Sequence, residues 1–135
     1  MVTGQTAQSA GMPDGAAVDG GLSHRAFFYR GQRDYLAQIQ AFARGGLAND
    51  QPVFIAVPGD KVTLLREHLG GHIRYADMAR LGRNPARIIP EVREFIDAHP
   101  GRRVRYVGEP VWPARSAAEM CEAARHEAMI NLAFA

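Results

Sequence analysis

Residues 52–57 read PVFIAV, an apolar run without the polar alternation of a strand that has one face in water. Such a run is typical of a strand covered on both faces, as in the parallel sheets of α/β proteins. A Pro58-Gly59-Asp60 turn follows, and residues 61–69 then carry apolar side chains at helical spacing. A buried strand followed by a turn and a helix predicts a chain built from alternating strands and helices.

The same alternation continues along the chain. Strands are predicted at residues 24–29 (HRAFFY), 73–78 (IRYADM) and 103–107 (RVRYV), and helices at residues 33–46, at residues 85–98 and from residue 116 onward. Gly45 and Gly46 are expected to end the first helix. Pro90 indicates either an irregular first turn in the third helix or a start at Pro90. The order predicts a three-layer α/β/α domain with a mainly parallel sheet.

The last predicted helix begins at Ser116 and Glu119, which have the spacing of a capping box. Its apolar side is expected to hold Met120, Cys121, Ala124, Ala128 and Leu132. Cys121 would therefore be a buried, unreactive thiol. The sequence stops in the apolar run NLAFA, which suggests that a final segment of the domain is absent or that a longer protein continues.

The length of 135 residues suits a single domain. Residues 1–21 are interpreted as a flexible leader and residues 22–135 as the domain. A net charge of +2 gives no strong attraction to nucleic acid, and a single cysteine excludes an intramolecular disulfide. Neither a membrane-spanning apolar stretch nor a signal-peptide core is found, so we expect a cytoplasmic protein without direct nucleic acid or membrane contact.

Ligands of open parallel sheets bind beyond the carboxyl ends of the strands. The predicted strand ends bring these aromatic and polar side chains to that edge: Tyr29, Asp77, Arg83, Asn84, Glu109, Trp112 and Arg115. In the loop VGEPVWPARS (107–116) two prolines would hold Glu109 and Trp112 in place. Two interpretations stay open: these side chains contact a ligand, or Glu109 pairs with an arginine while Trp112 caps the core. In a ligand site, Glu109 is expected to pair with Arg83 or Arg115.

Familiar catalytic and cofactor motifs do not form in this sequence. The loop VPGDKVT has one glycine and lacks the backbone N–H cradle of a phosphate-binding loop, although Lys61 could attract an anion weakly. HEAMIN places Ile130 where a second zinc ligand would stand four residues after His126. His126 and Asn131 either lie on a solvated helix face or contact a ligand. We therefore predict neither an enzyme, nor a cofactor, nor a metal site.

Three stretches carry a family resemblance: HRAFFY (24–29), DMARLGRNPARIIP (77–90) and VRYVGEPVWPARSAAEMCEAARHEAMINLAFA (104–135). With D-M…G-R-N-P, G-E-P-x-W and H-E-A-x-x-N in this order, the chain resembles the MEDS family, sensory domains named for methanogens, methylotrophs and a dichloromethane-responsive regulator. The family's characteristic positions fall on Asp77, Gly82, Arg83, Asn84, Pro85, Glu109, Pro110, Trp112, Arg115, His126, Glu127 and Asn131.

The resemblance implies a RecA-like layout without a phosphate loop. It also implies a sensory domain for small hydrocarbon derivatives that acts on a C-terminal or partner signalling domain, often an anti-sigma or histidine-kinase-like ATPase. The expected ligand-binding residues are Tyr29, Asp77, Arg83, Asn84, Glu109, Trp112, Arg115, His126 and Asn131. The alternative is a degenerate RecA-like enzyme remnant, or a scaffold that works through protein contacts without a small ligand.

Overall fold

The structure is a computed structural model that describes residues 21–24 and 27–134. In chain order its elements are β1 (Leu22–His24), α1 (Gly31–Ala48), β2 (Val53–Val57), α2 (Gly59–Leu69), β3 (Arg74–Asp77), α3 (Met78–Leu81), α4 (Ile88–Asp97), β4 (Val104–Gly108) and α5 (Ala117–Ala133). The four strands form one parallel sheet in the order β1-β4-β2-β3. The predicted α/β architecture with a parallel sheet is confirmed.

Strand β2 lies in the interior of the sheet, and all five of its residues are buried. Val53, Ile55 and Val57 pack into the core on the side of α1 and α2. Phe54 and Ala56 face the other way, into the core formed with α3, α4 and α5. The apolar run therefore serves two hydrophobic cores, as predicted for a strand covered on both faces.

Helix α1 is longer than predicted because Gly45 and Gly46 do not end it, and it runs to Ala48. A Cβ at Gly46 would lie 2.6 Å from Cδ of Arg105 on β4. Glycine is needed here for close packing of the helix against the sheet, which is a different role from a C-terminal cap. The prediction of a helix end at this pair was wrong for that reason.

The helix predicted at residues 85–98 has an irregular start. A short 3-10 turn at Pro85–Arg87 precedes α4, which begins at Ile88. Pro90 then falls in the first turn of α4, where backbone N–H groups have no partner within the helix. Its missing N–H therefore costs the helix nothing.

Helix α5 begins at the predicted capping box of Ser116 and Glu119, but the face it buries was predicted wrongly. Its buried residues are Ala123, Glu127 and Ile130. The members of the expected apolar side are all exposed, Leu132 to 81%. The carboxylate of Glu127 interrupts the stripe that is buried, and the sequence pattern therefore favoured the wrong side.

The first predicted strand, at residues 24–29, is only partly comparable with the structure. The strand observed is Leu22–His24, and it pairs with β4. Residues 25 and 26 lie outside the described residues, as do residues 1–20 of the interpreted leader. Among the helices that the structure describes, none has both the length and the apolar character needed to cross a membrane.

Candidate functional site

The carboxyl ends of β2 and β4 form a crevice. The two strands are neighbours, yet β2 leads into α2 on one face of the sheet and β4 leads toward α5 on the other. Connections that leave neighbouring strands in opposite directions create the crevice in which α/β domains hold ligands. Lys61 enters it from the first turn of α2, and Glu109 from the residue after β4.

Four side chains meet in this crevice, and we call Tyr29, Tyr35, Lys61 and Glu109 the Lys61–Glu109 cluster. Lys61 Nζ forms an ion pair with Oε1 of Glu109. Tyr29 Oη donates to the same oxygen at 3.0 Å, and Tyr35 Oη donates to Oε2 at 3.3 Å. Lys61 also donates to Tyr29 Oη at 3.1 Å. Both carboxylate oxygens of a glutamate that is 1% exposed are therefore hydrogen-bonded.

The electrostatics of the cluster keep its ammonium charged and its phenols neutral. Burial lowers the pKa of Lys61, but hydrogen bonds to Glu109 and Tyr29 outweigh it and leave the pKa above its ordinary value. Burial, reinforced by the Glu109 carboxylate, raises the pKa of Tyr35 well above its ordinary value. Burial also raises the pKa of Tyr29. At neutral pH the cluster can therefore orient a bound group, while neither Lys61 nor the tyrosines exchange a proton.

The expected pairing of Glu109 with Arg83 or Arg115 was wrong. Arg115 Nη2 donates instead to the backbone oxygen of Gly82 at 2.5 Å, and its guanidinium stacks 4.0 Å from the centre of the Trp112 ring. Trp112 itself is half-buried against the core beside α4 and α5. The cation that pairs with Glu109 is Lys61, because β2 lies next to β4 and leads directly into α2, whose first turn carries Lys61.

Three further predicted residues lie at the end of β3 and in the turns that follow it. Asp77 Oδ1 accepts a hydrogen bond from the backbone N–H of Ala79 at 2.9 Å and caps α3. Asn84 Oδ1 accepts one from Ala86 at 3.2 Å and caps the 3-10 turn. Arg83 is exposed. In the structure the contacts of Asp77 and Asn84 shape these turns.

The two predicted residues on α5 are separated. His126 Nε2 lies 3.2 Å from Oε1 of Glu122, one turn earlier on the same helix. Asn131 Oδ1 lies 3.2 Å from Nδ1 of His24 on β1. The structure thus divides the predicted residues into the crevice pair Tyr29 and Glu109, the Trp112–Arg115 stack, the turns after β3, and these two positions on α5.

Lys61, Tyr35 and Glu127 are the residues with notable surroundings that the predicted site did not include. Tyr35 is a buried residue of α1, and its hydroxyl donates a hydrogen bond to Glu109. Glu127 is 5% exposed and lies beside His24. Its position between Ala123 and Ile130, at helical spacing, is the signal that could have identified it as buried.

A cavity of about 320 Å³ lies at the opposite edge of the sheet, before the strands begin. It is lined by Leu47, Asp50, Gln51, Pro52, His72, His99 and Arg102. The predicted site residues do not line it. Within the described part of the chain, no group of three or more histidine, cysteine, aspartate or glutamate side chains is arranged to hold a metal ion.

Comparison with known protein families gives one finding. The profile described as MEDS, MEthanogen/methylotroph, DcmR Sensory domain, matches residues 23–135. Neither the curated proteins nor the solved structures give a significant match.

Proposed function

The chain belongs to the MEDS family of sensory domains, and we propose that it is the small-molecule sensory domain of a prokaryotic signal-transduction or transcription-regulatory protein. The ligand binds at the carboxyl edge of the sheet, in contact with the Lys61–Glu109 cluster. The observation that carries the proposal is this buried cluster of a carboxylate, an ammonium and two phenols at the crevice between β2 and β4.

Stability alone is a weak reason for such a cluster. A buried ion pair rarely stabilises a fold more than well-packed apolar residues of the same volume would. The side chain of Glu109 is 2% exposed whereas that of Lys61 is 28% exposed, so the cluster is reached from solvent on the lysine side. A polar group that is kept rigid and accessible on one side suits ligand binding.

Small hydrocarbon derivatives are the proposed ligand class. The rings of Tyr29 and Tyr35, whose centres are 4.9 Å apart, offer apolar surface, and Lys61 and Glu109 orient a polar atom of the ligand. The Trp112–Arg115 stack follows Glu109 by a few residues along the chain and packs against the core on the side of α4 and α5. The remaining predicted residues contribute less directly; Asp77 and Asn84 fix the turns at this edge.

The proposed output is a C-terminal or partner signalling domain of the anti-sigma or histidine-kinase-like type. Helix α5 follows the loop that begins at Glu109, and it exposes Met120, Met129 and Leu132. A ligand that displaces this loop therefore changes the position of an apolar surface. That surface also favours a second candidate, a scaffold that binds its partner through α5 without a small ligand.

Thermal shift and isothermal calorimetry with dichloromethane, methanol and ethanol test the proposal. We expect at least one compound to bind saturably to the wild type and to lose binding in both Lys61→Met and Glu109→Gln. Arg33→Met, which removes an exposed cation on α1, should bind like the wild type. Equal binding to wild type, Lys61→Met and Glu109→Gln would contradict the proposed site. Absence of binding throughout would favour the scaffold.

A further inference from the structure

A second group of polar side chains lies between α5 and the sheet, with three members buried and Asn131 exposed at its edge. His24 of β1, Tyr106 of β4, and Glu127 and Asn131 of α5 form what we call the Glu127 cluster. His24 Nε2 lies 3.4 Å from Oε2 of Glu127, and His24 Nδ1 lies 3.2 Å from Oδ1 of Asn131. The rings of His24 and Tyr106 have centres 5.4 Å apart. The contacts of these residues join the edge strand, its neighbour β4 and the last helix.

Several atoms of the cluster are buried without a hydrogen-bond partner among the described residues. They are His24 Nε2, Tyr106 Oη and both carboxylate oxygens of Glu127. Glu127 is 5% exposed and Tyr106 is fully buried. The 3.4 Å contact between His24 and Glu127 has the distance of an ion pair but not the geometry of a hydrogen bond. Buried polar atoms are normally satisfied, so a partner of suitable chemistry is missing.

The donor and acceptor inventory identifies that chemistry. An amide oxygen only accepts, so the contact with Asn131 requires His24 Nδ1 to carry the proton. Nε2 of the neutral ring is then an acceptor, and it faces the two acceptor oxygens of ionised Glu127. Tyr106 contributes a single hydroxyl donor. His24 Nε2 and the two carboxylate oxygens are three acceptors, and together they suit a cation with several N–H donors.

Without such a cation, Glu127 is kept neutral by a proton. Burial raises the pKa of Glu127 to about 8. Among the described residues, the titratable groups that face it are His24 from β1 and Tyr106 from β4; burial lowers the pKa of the first and raises the pKa of the second. Neither therefore supplies a positive charge at neutral pH. Glu122 and His126, elsewhere on α5, pair with each other.

We propose that the Glu127 cluster is a binding site for a small primary ammonium ion. Its N–H groups donate to His24 Nε2 and to the Glu127 carboxylate, while the Tyr106 hydroxyl donates to the same carboxylate. Binding replaces the proton on Glu127, so one proton is released for each ammonium bound below the pKa of that carboxyl. The Lys61–Glu109 cluster takes no part, and the inference does not rest on the function proposed for it.

A divalent metal is a weaker match to these atoms. Zinc sites use three or four protein ligands, and histidine and carboxylate ligands number two here. The described residues contain no group of three such side chains at a common centre. Metal binding is therefore an outcome that the experiment has to distinguish from ammonium binding.

The test is a titration of the full chain with methylammonium chloride to about 100 mM at pH 8 and constant ionic strength, followed by thermal shift and by ¹H–¹⁵N NMR. Methylammonium has only two non-hydrogen atoms, and the binding energy available per atom limits its dissociation constant to values on the order of 10 mM. Tetramethylammonium chloride carries the same charge without N–H donors and should not bind. An equal response to both ions would overturn the proposal, as would no response to methylammonium or tight binding of Zn²⁺ by the same residues.

Two further measurements locate the site. Glu127→Gln should weaken methylammonium binding at least tenfold, while Glu122→Gln, which removes an exposed carboxylate from the same helix, should leave it unchanged. In the wild type, the affinity should rise about tenfold per pH unit up to the pKa of Glu127 and then level off, since proton and ammonium compete. The pH series applies even if Glu127→Gln does not fold. An affinity that is independent of pH, or unchanged in Glu127→Gln, would refute the assignment.

Discussion

Two buried glutamates of this domain have opposite surroundings. Glu109 accepts hydrogen bonds from an ammonium and from two phenols. In the part of the chain that the structure describes, neither carboxylate oxygen of Glu127 has a hydrogen-bond partner. A buried carboxylate is stable only with a countercharge or with a proton. The first glutamate is therefore fixed by its neighbours, and the second responds to pH.

Removal of the ammonium beside Glu109 should destabilise the domain. Lys61→Met keeps the length of the side chain but leaves the carboxylate without its cation. We expect the free energy of unfolding to fall by about 1 to 3 kcal/mol, less than for a fully buried pair because Lys61 is partly exposed. Urea denaturation measures it. Arg33→Met, an exposed control, should change the value by less than about 0.5 kcal/mol; similar losses in both variants would contradict the pairing.

The stability of the domain should decrease as the pH rises toward 8. The folded chain holds a proton on Glu127 up to a pKa of about 8, whereas the unfolded chain releases it near 4.5. Between these values the folded state binds more protons, so the free energy of unfolding falls with pH, by at most about 1.4 kcal/mol per unit. The lowered pKa of His24 acts in the opposite direction only below about pH 6.5.

Unfolding curves between pH 7 and 8 isolate the glutamate because they lie above the window of His24. Glu127→Gln should abolish the decrease in stability over this range, and Glu122→Gln should retain it. The expectation fails if the slope of unfolding free energy against pH is the same in wild type and Glu127→Gln.

Helix α5 exposes Met120, Met129 and Leu132 and buries the carboxylate of Glu127. Its N-terminus is fixed by Ser116 Oγ, which accepts from the backbone N–H of Glu119 at 3.3 Å, while Glu119 Oε2 accepts from Ser116 N at 2.8 Å. Its packing to the sheet runs through Ala123 and Ile130. The helix is thus held by its cap and a narrow buried stripe, which suits an element that changes position during signalling.

The two faces of α5 should differ sharply in truncation experiments. Ile130→Ala removes a fully buried side chain and should cost about 2 to 4 kcal/mol of unfolding free energy. Leu132→Ala removes one that is 81% exposed and should cost less than about 0.5 kcal/mol. Chemical denaturation of both variants checks which face of the helix is buried. A larger loss of unfolding free energy for Leu132→Ala than for Ile130→Ala would show that the opposite face is buried.

The cap of α5 should contribute measurably to stability. Ser116→Ala removes the capping acceptor and should cost about 1 kcal/mol. Thr63→Ala is a matched loss of a hydroxyl that bonds within α2, to the oxygen of Gly59, and should be nearly neutral. Equal thermal midpoints for wild type and Ser116→Ala would contradict the role of the capping box.

Element types and the parallel sheet could be predicted from the sequence because they depend on local patterns. PVFIAV indicated a strand covered on both faces, and Ser116 with Glu119 marked a helix start. The burial of Glu127 was not predicted, because its carboxylate interrupts the stripe of Ala123 and Ile130 that tertiary packing buries. The same holds for the pairing of Lys61 with Glu109, which are 48 residues apart and meet only once the strand order is known.

The whole molecule is organised by the strand order β1-β4-β2-β3. This order places β4 between β1 and β2. Glu109, directly after β4, therefore contacts Tyr29 from the segment after β1 and Lys61 from the helix after β2. One side of β4 faces the core with α1 and α2, and the other the core with α4 and α5. The Lys61–Glu109 cluster and the Glu127 cluster are consequences of that position.

The most direct test of ligand binding at the carboxyl edge is a ¹H–¹⁵N correlation spectrum of the labelled chain, titrated with dichloromethane, methanol and ethanol. The proposal predicts that one of these compounds produces saturable shifts centred on the amides of Tyr29, Lys61 and Glu109. The amides of Gln51 and Arg102, beside the cavity at the opposite edge, should stay unchanged. Shifts concentrated at that opposite edge, or no saturable shifts with any of the three compounds, would contradict it.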